Sequence, residues 1–133
     1  MSQDHAGAPL SPSERAEIYS LLTTSRHDAA ARIGALQSEF DSIVESSAGQ
    51  STDDEHDPEG ATVAFERAQI VALLNQARTH LVDLDGALER LRTGTYGSCE
   101  RCGRAIPIER LTARPATVTC LRCASTTGRP TRQ

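Results

Sequence analysis

Residues 99–123 read CERCGRAIPIERLTARPATVTCLRC, two Cys-x-x-Cys pairs separated by 17 residues. Each short pair lets one turn present two sulfurs to the same ion, and the spacer lets a small hairpin bring the pairs together. Four thiolates complete a tetrahedral Zn2+ shell with no open position. Cys99, Cys102, Cys120 and Cys123 therefore predict one structural zinc ion rather than a catalytic one. Iron–sulfur ligation is the competing reading, and spacing alone leaves it open. A thioredoxin-type redox pair would need a βαβ context that the sequence lacks. Between the pairs, Ile106, Ile108, Leu111 and Val118 supply only a miniature core, so this end is predicted to need its metal to fold.

Working toward the N-terminus, Thr93-Gly94 closes a heptad stripe of Ile70, Leu74, Ala77, Leu81, Leu84, Leu88 and Leu91. A matching stripe runs through Ile18, Leu22, Ala29, Ile33, Leu36, Phe40 and Ile43, with Arg26 filling one of its positions. Ser11-Pro12-Ser13-Glu14 has the form of a capping box that starts the first helix. The expected fold is mainly α: an antiparallel coiled-coil hairpin followed by a small four-cysteine zinc finger. Folding back would set Leu36 near Ile70 and Ile33 near Leu74; pairing of the stripes between two chains is the alternative. The domain reading is a disordered leader at 1–10, a hairpin at 11–93, a finger at 94–124 and a flexible tail at 125–133.

The loop between the helices, about 46–60, is long for a helix–helix link. Asp53, Asp54, Glu55, Asp57 and Glu59 make its second half strongly acidic. Such a cluster is either a solvated tip or a probe for a basic or metal-containing site. It is not an EF-hand, because Pro58 stands where that loop needs Gly and Ala64 where it needs Glu.

The charge is divided along the chain. Residues 1–60 hold 12 acids and 3 Arg, and residues 61–133 hold 6 acids and 11 Arg, within a net charge of −4. All 14 basic residues are Arg. The chain is 133 residues long, 38% hydrophobic and only 3% aromatic, which argues against a large catalytic core. Neither a signal peptide nor a membrane-spanning run is present, so a cytoplasmic protein with reduced thiols is expected. No Ser-His-Asp set, phosphate-cradling Gly loop or open metal position supports an enzyme.

The segment Gly94-Thr95-Tyr96-Gly97-Ser98-Cys99-Glu100-Arg101-Cys102-Gly103, with Ile106, Arg110-Leu111, Ala113-Arg114-Pro115 and Cys120-x-x-Cys123, resembles the DksA/TraR zinc-finger family. The likeness covers about residues 94–124 by motif and reaches back to about residue 12 by architecture. It implies a bacterial transcription factor, acting as a monomer, that binds RNA polymerase rather than DNA. In that family the coiled-coil tip enters the secondary channel, the zinc end docks on the rim, and some members act with ppGpp. The family's Asp-x-x-Asp-x-Ala tip is matched in its second half by Glu59-Gly60-Ala61, with His56 at the first Asp position. Arg114 matches a position linked to the alarmone, and Arg110 lies beside it as a second candidate contact to alarmone or polymerase. Two other readings stand beside this one. A nucleic-acid-binding zinc module would use the Arg excess, with Tyr96 as its one stacking residue. A coiled-coil adaptor would use the knob to grip another protein.

Overall fold

The computed structural model describes residues 10–48 and 58–127. Two long helices, α1 (Pro12–Ala48) and α2 (Pro58–Thr93), are followed by α3 (Ile108–Ala113) and α4 (Leu121–Thr127). The described residues contain no strand, only an isolated antiparallel bridge between Ser98 and Ala105. The expected mainly helical hairpin and finger are what the chain forms.

The start of α1 follows from its sequence. Ser11 Oγ accepts from the Glu14 backbone N–H at 3.0 Å, and the Ser11 N–H donates to Glu14 Oε1 at 2.9 Å. Two amide donors that the helix cannot satisfy internally are thus paired reciprocally. Both helices run further toward the connecting segment than expected, to Ala48 and from Pro58. Proline suits a first helical position because its missing N–H has no partner to lose there. At the other end α2 stops where Gly94 takes φ +88, a conformation that strains a residue carrying Cβ. The Arg90 carbonyl there accepts from the amides of Gly94, Thr95 and Tyr96.

The chain divides into two units, one of residues up to Arg26 with those from Asp83 onward, the other of His27–Val82. In the second unit Leu36, Ile70, Leu74 and Ala77 form the core, with Ile33, Phe40 and Ile43 packed on it. This is the narrow seam that a heptad pattern dictates, and it leaves Phe65, Val71, Leu73 and Val82 exposed. Arg78 Nη2 donates to Gln37 Oε1 at 3.1 Å, and Ile43 and Ile70 line one groove. The register therefore sets Ile43 level with Ile70, where the expected alignment has Val63, and Leu36 nearer Leu74 and Ala77, an offset of about one heptad, or two turns. Sequence periodicity fixes which face is buried but not the level at which two faces meet.

In the first unit Ile18, Leu22, Leu84, Ala87 and Leu91 are buried between the helices. Ala87 rather than Leu88 is fully enclosed there. Arg26, the polar member of its stripe, stays exposed and pairs with Asp85. Tyr96, Ile106 and Leu111 supply the buried apolar residues of the finger.

Candidate metal centre

The first cysteine pair sits on a tight turn. Cys99 N–H donates to the Arg104 carbonyl and Gly103 N–H returns to the Cys99 carbonyl, both at 2.8 Å. Gly103 takes φ +77, which closes the turn without strain. The second pair lies at the start of α4, where Ala124 N–H donates to the Cys120 carbonyl at 2.9 Å. Glu100 N–H ties the first turn to the approach to the second by donating to the Val118 carbonyl at 2.8 Å.

These elements bring the four cysteines together. All four Sγ atoms lie within 4.8 Å of one another, and those of Cys102 and Cys120 are 3.9 Å apart. Zn–S bonds of about 2.3 Å in a tetrahedron require S···S edges of about 3.8 Å. A disulfide would need about 2.05 Å, and all four cysteines are free thiols. The donor set and its spacing fit one zinc ion held as a structural cofactor. Burial pushes the Cys99 thiol up, but backbone N–H groups of Cys102, Cys120 and Arg101 outweigh it and bring it down to about 6. The Cys123 backbone N–H likewise lowers Cys120, whereas hydrogen bonding to Cys120 pushes Cys123 up to about 12. Part of the thiolate character that a zinc ligand needs is thus supplied by the backbone.

Beside the sulfurs lies a groove of ≈ 750 Å³ lined by Arg104, Arg110, Arg114 and Arg122, with Glu109 and the exposed Leu121. The two candidate contact residues differ. Arg114 is exposed at the end of α3, where its N–H donates to the Arg110 carbonyl at 2.7 Å. Arg110 is half-buried, and its guanidinium binds the Thr119 carbonyl at 3.0 Å and Thr117 Oγ1 at 3.2 Å. Tyr96 is not a stacking platform. It is 9% exposed, and its hydroxyl donates to the Pro115 carbonyl at 2.7 Å. An aromatic residue between two glycines gave no sign of whether its ring would face in or out. The finger also runs past its expected end, because α4 includes residues 125–127. Ser125 and Thr126 hydroxyls donate back to the Leu121 and Arg122 carbonyls, one turn earlier.

Of the acidic tip, Asp53, Asp54, Glu55 and Asp57 lie outside the described residues. Glu59 falls in the first turn of α2 and Ala61 is exposed on it. No helix among the described residues is long and apolar enough to cross a membrane.

A long helical hairpin carrying a four-thiolate zinc knob defines a class of protein. Residues 94–127 match the prokaryotic dksA/traR C4-type zinc finger. Over 66 residues the chain is 42% identical to the uncharacterized protein YteA of Bacillus subtilis, covering 50% of this chain and 28% of that protein. An uncharacterized Aquifex aeolicus protein is 54% identical over 44 residues, 33% of this chain and 30% of that one. The matched segments thus span about a third or less of these curated relatives. Among solved structures, transcription factor DksA2 of Pseudomonas aeruginosa has a TM-score of 0.73 at 26% identity, covering 87% of this chain and 84% of that one. The resemblance read from the cysteine motif is borne out: this chain carries a DksA/TraR-type C4 zinc finger on a DksA-like fold.

Proposed function

We propose that this chain is a cytoplasmic, DksA-type transcription factor that binds RNA polymerase directly as a monomer. The acidic end of the hairpin enters the secondary channel to modulate initiation, and the zinc knob docks at the rim. The observation that carries this reading is the match to DksA2, which extends over 87% of the chain and so takes in both hairpin and finger. The charge division supports it, with acid concentrated at the connecting segment and Arg at the knob. The four-thiolate centre leaves no position for substrate, in keeping with a binding protein rather than an enzyme. The exposed Arg114, with Arg104 and Arg122 in the same groove, gives an anion such as ppGpp a place to bind.

Pull-down of purified core polymerase, followed by run-off transcription with and without ppGpp, tests the proposal. Wild type should bind and alter transcript yield. Asp57→Ala combined with Glu59→Ala should bind yet lose the effect on transcripts. Absence of polymerase binding by the wild type would sink the reading.

The arginine groove also favours a nucleic-acid module, but the burial of Tyr96 removes its stacking residue. A salt-dependent gel shift decides it: no complex at low ionic strength dismisses the module.

A further inference from the structure

Arg110 is the one arginine of the finger, among the described residues, whose guanidinium is engaged within the chain; Arg101, Arg104, Arg114 and Arg122 have no side-chain partner. Its engagement has a direction. The base of the side chain is held in α3, where the Arg110 N–H donates to the Pro107 carbonyl at 3.0 Å and its carbonyl accepts from Arg114. From there Nε reaches the Thr119 carbonyl, on the residue immediately before Cys120. Nη2 reaches Thr117 Oγ1, and that hydroxyl in turn donates to the same Thr119 carbonyl at 3.2 Å. The segment 117–119 is thereby gripped from the α3 side, while Glu100 N–H grips Val118 from the first cysteine turn.

Thr117–Thr119 is the stretch of chain that leads directly into Cys120, after Pro115 and Ala116 and before α4 begins at Leu121. A metal site needs all four ligands within bonding reach at once, so ordering the approach to one pair lowers the cost of assembling the shell. We propose that Arg110 is a positioning residue of the zinc centre, fixing Thr117–Thr119 so that Cys120 and Cys123 meet Cys99 and Cys102 at ligand distance. Its fork is consumed by this task, which separates it from the unpaired arginines of the same groove.

The test is the zinc affinity of the full chain, read by competition with a chromophoric chelator, with the thiolate charge-transfer band of Co2+ as a second signal. Arg110→Gln should weaken zinc binding about tenfold, the scale of losing an outer-shell support. Arg110→Lys keeps the charge but not the two-point geometry and should behave like Arg110→Gln. Thr117→Val leaves the Arg110 Nε bond to the Thr119 carbonyl in place and should weaken binding by less. Arg114→Gln, exposed and unpartnered, should bind as wild type does. Wild-type affinity in Arg110→Gln overturns the proposal, as does full rescue by Arg110→Lys, which would mark a charge effect. An equal loss in Arg114→Gln overturns it too. If Arg110→Gln fails to fold, Thr117→Val carries the test, and an unchanged affinity there is decisive against it.

Discussion

Tyr96 ties the start of the finger to the segment after α3 through one side-chain hydrogen bond, from its hydroxyl to the Pro115 carbonyl. Tyr96→Phe keeps the buried ring but leaves that carbonyl short of a donor, and should cost about 1 kcal/mol in urea unfolding of the zinc-loaded protein. Burial also pushes the Tyr96 phenol up to about 12, above the ordinary value of about 10. The sign follows directly. A folded value above the unfolded one means the contribution is fully present below about pH 10 and is lost as pH rises through about 12. Absorbance at 295 nm should show a tyrosinate step near pH 12 that Tyr96→Phe removes. A step that persists unchanged in the variant would show the wrong residue to be titrating. The four cysteines were legible as a set because metal chemistry demands that residue type at that spacing. The roles of Arg110 and Tyr96 were not, since both depend on partners 7–19 residues away whose position only the folded finger defines.

The helices respond to local and to packed features separately. Ser11→Ala removes the acceptor of the capping box, and the melting profile should show a loss of about 1 kcal/mol. In the His27–Val82 unit the whole core is a thin seam, so truncation at its centre is severe. Leu74 is 4% exposed, and Leu74→Ala should cost about 2–5 kcal/mol in denaturant unfolding. By contrast Phe65, 64% exposed on the same helix, should tolerate Ala with little change. Gly94→Ala places a Cβ at φ +88 and should destabilise the junction by about 1 kcal/mol, although nothing lies within 4 Å of the added atom. The capping box, the heptad stripes and the terminating glycine were readable because each is a local rule. The register between the stripes was not, because Leu, Ile and Ala repeat so evenly that a shift of one heptad, two turns, preserves the pattern.

At the scale of the whole molecule, stability has two sources. The helices α1 and α2, of 37 and 36 residues, are held by apolar packing, whereas the short α3 and α4, of 6 and 7, belong to the finger that gathers the four sulfurs. Chelation of zinc should leave most of the far-UV helical signal intact while amides of residues 94–127 lose protection from hydrogen exchange. Simultaneous loss of the helical signal would show that the hairpin depends on the metal.

By itself the sequence determined the element types and the four-cysteine ligand set. Heptad periodicity allows only long amphipathic helices, and two Cys-x-x-Cys pairs mark a four-thiolate metal site. It also carried the likeness that the dksA/traR finger match bears out. The tertiary structure alone decided the level at which the helices meet and the inward turn of Tyr96. It alone showed that Arg110 is held by Thr117 and Thr119. Periodicity and spacing act along the chain, whereas these choices turn on which groups satisfy one another across it, and that is set only when buried polar atoms find their partners.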